Sequence, residues 1–340
     1  MRRLVERVGV PRLLVGLFLL ILFALAGLQR LPVKMLISSA LVRIGMNGVL
    51  VLAMLPSIRA GLGLNFGLPL GVISGIVGML VSLELRLSGL AGFFFALLVG
   101  VLLSLPAGYV YGLLLNRVKG EEMMVGTYMG FSLVAGMCMF WLLAPFKNPE
   151  MIWVVGGKGL RVTIPISHRF GGVLDNLGKF SIGGVEVPAG LLLFFAFLCV
   201  LVYLFSFTRT GMAMKAAGMN PAFARASGVN VEKMRILGAT LSTVLGAVGI
   251  AVYAQSLGFV QLYLAPLMMA FPAVAAVLLG GASTSRATVF NAVAGVTLFQ
   301  TLLTISLPVT QSVIGGDISE VAKLIISNGM ILYALTRKEA

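Results

Sequence analysis

Long, uninterrupted apolar runs constrain this sequence more than any other feature. Most are close to 20 residues, the length of helix that crosses the ~30 Å hydrocarbon core of a bilayer. They cover residues 13–29, 36–56, 67–85, 88–115, 122–146, 188–207, 233–257, 264–280, 286–306 and 318–336. The fourth must tilt, bend at Pro106 or extend beyond the membrane because it is longer than a span requires. The runs do not alternate as barrel strands do, so they predict an all-α integral membrane protein with about ten transmembrane helices.

The composition agrees with this interpretation. Hydrophobic residues make up 59% of the chain and charged residues only 11%, whereas a soluble domain carries about 25% charged residues. A soluble enzyme, a disordered chain and a nucleic-acid-binding domain are therefore excluded. The net charge of +14 fits basic residues gathered in cytoplasmic loops.

Lys and Arg also predict the orientation. With the N-terminus inside, fifteen lie on the cytoplasmic side and eight outside, five of the eight in one long loop, where charge counts less. Both termini are thus expected in the cytoplasm. The first run resembles a signal peptide ending at Ala24-Leu25-Ala26, but its removal would invert this orientation, so we expect it to be retained. We predict one transmembrane domain, 1–340, with an extracytoplasmic loop 147–187 and a cytoplasmic loop 208–232.

The cytoplasmic loop carries the signals of a short helix. Asn220 suits the N-cap, Pro221 the first helical position and Gly228 a left-handed stop. The predicted helix, Pro221–Ser227, has two turns and would be unstable unless docked on something. Phe223 is the candidate anchor, and an ordinary interhelical loop is the alternative.

Residues 211–230 resemble the cytoplasmic loop of ATP-binding cassette importer permeases, in the branch of ribose, branched-chain amino acid and nucleoside permeases. The family pattern A-x-G-x-N-x-x-A-A-R-x-x-G-[IV] is matched here by Ala217, Gly218, Asn220, Pro221, Ala222, Ala224, Arg225, Gly228 and Val229. In that family the short helix is the coupling helix, which docks in a groove on a separate ATPase. The resemblance implies that the coupling residues are Gly218, Asn220, Pro221, Phe223, Arg225 and Gly228.

The same resemblance implies the partners. They are an ATPase subunit that binds ATP and Mg, a second permease that is identical or similar, an extracytoplasmic solute-binding protein, and membrane lipid. The implied location is a prokaryotic inner membrane. The chain has no Gly-x-x-x-x-Gly-Lys-Ser/Thr motif, and the glycine-rich stretch 280–286 lacks the lysine. We therefore expect a transport subunit and not an enzyme, with no cofactor of its own and no nucleic-acid partner.

Acidic residues bear on the energy source. All eleven fall at span edges, in loops or at termini, whereas ion-driven transporters usually keep a carboxylate within the bilayer. The sequence therefore favours energy supplied from outside the chain. Cys138, Cys199 and His168 are too scattered to predict a metal site. A transporter or channel that works alone is the alternative class.

Polar residues in or next to the spans are candidates for the translocation pathway. Asn47, Asn291 and Gln300 lie within spans, and Asn65 lies just before the third, with Phe66 beside it as a further candidate. Hydrogen bonding between helices is the alternative role for the amides. The stretch 61–71 resembles both ribose-type and nucleoside-type permeases, with Asn65 near the position of the ribose-type Asp. We expect a small hydrophilic solute such as a simple sugar, with a nucleoside or branched-chain amino acid as alternatives. Arg43 and Lys323 either extend to the membrane surface or face the pathway.

Overall fold

The computed structural model describes residues 10–153 and 159–314, and residue 329. Most of these residues are helical. The helices are α1 (Val10–Leu28), α2 (Val33–Leu52), α3 (Met54–Arg59), α4 (Pro69–Glu84), α5 (Gly89–Arg117), α6 (Glu122–Leu143), α7 (Val173–Asn176), α8 (Ala189–Phe205), α9 (Arg209–Met219), α10 (Pro221–Ala226), α11 (Val231–Leu257), α12 (Ala270–Leu279) and α13 (Val289–Ile314). The strands are β1 (Thr163–Pro165), β2 (Phe180–Ile182), β3 (Val185–Val187) and β4 (Phe259–Gln261), and a 3-10 helix, Ala265–Met269, leads into α12.

The long helix α11 connects the two ends of the bundle. It follows α10 directly and ends just before β4, so its 27 residues separate α10 from β4 by about 40 Å at 1.5 Å per residue. We call the end that carries α9 and α10 the loop end, and the end that carries β1–β4 the strand end. Helices α5, α4 and α2 pack around α11.

Glycine lets these helices approach closely, as its abundance in the sequence suggests. A Cβ at Gly71 of α4 would lie 2.2 Å from the Thr243 carbonyl oxygen on α11. A Cβ at Gly295 of α13 would lie 1.9 Å from the Ala276 carbonyl oxygen on α12. Backbones therefore touch at positions where any side chain would separate the helices.

Helical membrane architecture is confirmed, but the count of ten spans is not. Among the described residues, five helices are long and apolar enough to cross a membrane, or six if the bent pair α8 and α9 forms one span. Three further apolar helices are shorter, at 12–28, 69–84 and 265–279. The tenth predicted span, 318–336, lies outside the described residues apart from Gly329. The fourth run forms the single helix α5, which contains Pro106.

The loop between α6 and α8 is tied to the bundle by strands. Strand β2 pairs with β3 as a hairpin, and β1 pairs antiparallel with β4, which lies beyond α11. Gln255, near the end of α11 and fully buried, accepts from the backbone N–H of Leu174 at 3.1 Å and donates to Asp175 at 3.1 Å. The pairing of β1 with β4 was not foreseen from the sequence.

Candidate functional site

A cavity of about 290 Å³ lies among α2, α11, α12, α13 and the segment 259–269. Its polar lining comes from Asn47, Tyr253, Gln261 and Gln300, and apolar residues such as Met268 complete the wall. Gln261 and Tyr253 place one side of the cavity near the strand end. Asn47 lies about 21 Å along α2 from that end, at 1.5 Å per residue, so the cavity reaches the middle of the bundle.

Two of the predicted pathway residues meet in this cavity. Asn47 donates to the carbonyl oxygen of Arg43 one turn earlier, at 2.9 Å, which fixes its amide on the cavity side of α2. Gln300 is only 4% exposed and approaches from α13. Arg43 is exposed and is not part of the lining. The described residues that line the cavity carry no charge.

Asn65 does not line this cavity. It lies in the irregular stretch between α3 and α4, is 3% exposed, and donates to Ser242 on α11 at 2.7 Å. Its Oδ1 accepts from the Tyr111 hydroxyl at 3.1 Å, and Ser242 in turn donates to the Ala53 carbonyl oxygen at 2.6 Å. Backbone without helical hydrogen bonds is tolerated at membrane depth only where protein satisfies it. This cluster holds the break between α3 and α4 against α5 and α11.

Phe66 and Asn291 also lie away from the cavity. Phe66 packs against Phe271 of α12, with ring centroids 5.8 Å apart. Asn291 donates to the Gly280 carbonyl oxygen at 2.7 Å and accepts from the Thr288 backbone N–H at 2.9 Å, so it caps the start of α13 at the loop end. Their predicted place in the pathway stays a prediction.

The short helix α10 forms where the sequence places it. Asn220 accepts from the backbone N–H of Phe223 at 3.0 Å, Pro221 is the first residue, and Gly228 has φ 80°. The backbone N–H of Val229 donates to the Ala224 carbonyl oxygen at 2.9 Å. This bond satisfies a carbonyl group in the last turn of α10.

One face of α10 packs against the rest of the chain, and the other face is exposed. Ala224 is fully buried against Ala217 and Val231. Phe223 is 65% exposed, and Pro221 and Arg225 are exposed as well. The inward face therefore anchors the helix, and the outward face presents an aromatic ring and a cation.

Gly218 lies in α9, a helix not foreseen from the sequence, and supports the position of α10. A Cβ at Gly218 would lie 2.2 Å from the Arg59 carbonyl oxygen and 2.7 Å from the Gly61 backbone nitrogen. The C-terminal part of α9 thus packs against the end of α3. Thr208, whose hydroxyl accepts from the Gly211 N–H at 3.1 Å, is the N-cap signal that marks α9 in the sequence.

A buried ion pair at the loop end was also missed. Arg235 of α11 donates to the carboxylate of Glu122 on α6 and to Asn116 Oδ1 on α5 at 2.9 Å. It also donates to the carbonyl oxygens of Gly61 at 3.2 Å and Leu115 at 3.3 Å. One guanidinium therefore joins α11, α5, α6 and the chain after α3, at the same end of the bundle as α10.

Charged residues lie in and next to the loop between α6 and α8, at the strand end. Glu150 forms an ion pair with Arg169 at 2.7 Å, and the hydrogen bond from Arg169 lowers the pKa of the Glu150 carboxyl. Glu84, the last residue of α4, accepts from the backbone N–H groups of Lys147 and Asn148 at 3.1 Å. The start of the loop is fixed to the bundle through these bonds.

Carboxylates in the described part of the chain lie at helix ends or in loops, as predicted. These are Glu84, Glu121, Glu122, Glu150, Asp175, Glu186 and Glu232. Glu6, Asp317, Glu320 and Glu339 lie outside the described residues, as does Lys323. Within the described ranges no group of three His, Cys, Asp or Glu residues is arranged to hold a metal ion.

The protein family of this chain follows from a match to a family model. Residues 15–335 match the model described as the permease component of the branched-chain amino acid transport system. The chain belongs to this family. Its apolar helices and this membership make it a multi-pass membrane protein of the permease type.

Two curated relatives are similar over part of their length. A protein of Escherichia coli (strain K12) named probable ABC transporter permease protein YphD is 32% identical over 161 residues, 44% of this chain and 47% of that protein. The nucleoside ABC transporter permease protein NupC of Lactococcus lactis subsp. cremoris (strain MG1363) is 32% identical over 120 residues, 34% of this chain and 37% of that protein. The matched regions thus span less than half of either relative. No solved structure shows significant similarity to the chain.

Proposed function

We propose that this permease is the membrane-spanning subunit of an ATP-binding cassette importer for a small, neutral, hydrophilic solute, most simply a sugar. The observation that carries the proposal is the cavity, which presents amide and phenol groups and no charge among its described lining residues. A volume of about 290 Å³ is at the lower end of the range of small-molecule pockets, so it suits one small solute.

The cavity chemistry favours a neutral solute over a branched-chain amino acid. An amino acid brings an ammonium and a carboxylate, and each charge would need a paired group once removed from water. The amides of Asn47 and Gln300 both donate and accept hydrogen bonds, as sugar hydroxyls require. Met268, Met269 and Pro272 supply an apolar wall for the ring face.

A nucleoside is the second candidate. The wall formed by Tyr253 and the two methionines suits a planar base, and one of the two relatives is named a nucleoside permease. The ribose of a nucleoside would use the same amides.

The energy for movement of the helices is proposed to come from a separate chain, the partner ATPase. The exposed Phe223 and Arg225 on α10 are the contacts proposed for a partner ATPase that binds ATP and Mg. The bundle would then alternate between openings at the strand end and at the loop end. The strand end is proposed to face outward and to receive solute from a binding protein, with both termini in the cytoplasm. A second permease copy completes the proposed assembly.

Uptake by the reconstituted importer tests the substrate class. Radiolabelled D-ribose, uridine and L-leucine are each offered to proteoliposomes that contain the permease, its ATPase and the binding protein. We expect uptake of the sugar or the nucleoside, and a loss of at least tenfold in the variant N47A/Q300A. The variant Q311A serves as the control because Gln311 is exposed on α13 and lies outside the cavity. Uptake of leucine alone, or an equal loss in Q311A, would contradict the assignment.

A further inference from the structure

A second concavity opens at the loop end, where α8 and α9 meet at a bend of 76°. It has a volume of about 650 Å³ and lies between this bend and residues 285–290. We call it the bend groove. It shares no lining residue with the cavity proposed for the solute.

The walls of the bend groove are mostly apolar and exposed. Phe207, Met212, Met219 and Phe290 are each more than half exposed. Tyr203 meets Phe207 edge to face at 4.9 Å between ring centroids. Such a patch at the end of a membrane helix is covered favourably by lipid chains, and aromatic rings favour this boundary level.

The bend groove also gathers three cations: Arg59, Lys215 and Arg286. Arg59 Nε donates to the Ala287 carbonyl oxygen at 3.0 Å, which fixes its guanidinium against the segment before α13. No Asp or Glu is among the described lining residues, and none of the three cations belongs to an ion pair within residues 10–153 and 159–314.

We propose that the bend groove binds an anionic phospholipid of the leaflet next to α9. Its phosphate lies among Arg59, Lys215 and Arg286, and its acyl chains follow Phe207, Met212 and Phe290. Basic pockets between membrane helices recognise anionic headgroups in this way. A free phosphate would use the cations but leave the apolar walls exposed, so the groove as a whole fits a lipid. The inference does not depend on which solute the permease carries.

Native mass spectrometry of the purified full chain tests this binding. The protein is titrated with phosphatidylglycerol and with phosphatidylcholine of the same acyl chains. We expect tighter binding of phosphatidylglycerol. The variant K215Q/R286Q should lose roughly fivefold in affinity for each charge removed, with little change for phosphatidylcholine. Arg59 is left in place because it holds the Ala287 carbonyl.

The variant R117Q/K233Q is the matched control. Arg117 and Lys233 are exposed cations near the loop end that do not line the bend groove, and the loss of net charge is the same. The control should bind phosphatidylglycerol like the wild type. A second variant, F207S/M212S, should weaken binding of both lipids.

Four results would overturn the proposal. Equal affinity of the wild type for the two lipids would show that the three cations do not recognise an anionic headgroup. Equal losses in K215Q/R286Q and R117Q/K233Q would show a diffuse effect of net charge. Competition by glycerol 3-phosphate at lipid-like concentrations would indicate a phosphate site without a role for the apolar walls. If K215Q/R286Q instead weakens co-purification of the ATPase and leaves lipid affinity unchanged, the bend groove is a protein contact.

Discussion

Arg235 on α11 donates a hydrogen bond to the carboxylate of Glu122 on α6, and the two side chains are 10% and 13% exposed. The pair stands at the loop end, next to the segment that leads from α10 into α11. Its guanidinium also bonds Asn116 on α5, so three long helices are joined at the end of the bundle that carries α10. We therefore expect this pair to hold the loop end together as a rigid unit.

Removal of one partner of this pair should be strongly destabilising. The variant E122Q leaves the Arg235 charge buried without its carboxylate, which typically costs about 3–5 kcal/mol. Thermal unfolding in detergent measures the change. The control is K119Q, which breaks the exposed pair Lys119–Glu232, whose side chains are 46% and 60% exposed; exposed pairs contribute about 0–1 kcal/mol. Similar melting temperatures for E122Q and K119Q would refute the role of the buried pair.

The close approach of Gly218 to the backbone after α3 predicts that one added methyl group at this position lowers the stability of the protein. G218A places a Cβ against the backbone of Arg59 and Gly61, and forced repacking of this kind costs about 1–3 kcal/mol. The same change at Gly136 of α6 meets nothing within 4 Å, so G136A should be neutral or slightly stabilising. The two variants are compared by thermal unfolding. Equal stability of G218A and G136A would show that α9 does not rest on α3.

The exposed face of α10 predicts loss of coupling without loss of folding. F223A and R225E remove groups that make no buried contact within the chain, and exposed substitutions rarely change stability by more than ~0.5 kcal/mol. Both should fold normally but no longer link ATP hydrolysis to uptake. Uptake per ATP hydrolysed, with K233Q as a surface control, is the measurement. Normal ratios in both variants would exclude α10 as the coupling helix.

The ion pair Glu150–Arg169 predicts an acid-sensitive loop at the strand end. The pKa of Glu150 is lowered, chiefly by the hydrogen bond from Arg169. The carboxylate therefore stabilises the folded loop above its ordinary pKa, and this contribution is lost as the pH falls through the lowered pKa. Amide hydrogen exchange of residues 163–170, corrected for the intrinsic effect of pH, should show reduced protection in strong acid. The variant E150Q should be less protected at neutral pH and show less pH dependence, and identical profiles would contradict the assignment.

The helical architecture and α10 could be predicted from the sequence because each depends on residues that are close together in the chain. Asn220, Pro221 and Gly228 determine the start and end of α10 whatever surrounds it. The helix α9 was missed because its sequence is only weakly apolar, although Thr208 marks its start.

Contacts between distant segments were beyond sequence reasoning. Arg235 and Glu122 are 113 positions apart, and each looks like an ordinary charge at the edge of a span. Asn65 and Gln300 are both polar residues in apolar surroundings, yet the first joins a buried hydrogen-bond cluster and the second faces a cavity. Only the packing of the helices distinguishes these two roles.

The energy source of uptake tests the central claim most directly. Proteoliposomes that contain the permease are supplied either with the partner ATPase, binding protein and ATP, or with a proton or sodium gradient alone. The described carboxylates lie at helix ends and in loops, whereas carboxylates within the bilayer are the usual mark of an ion or proton pathway. We predict uptake only with ATP and the ATPase, and none with either gradient. Gradient-driven uptake by the permease alone would contradict the account.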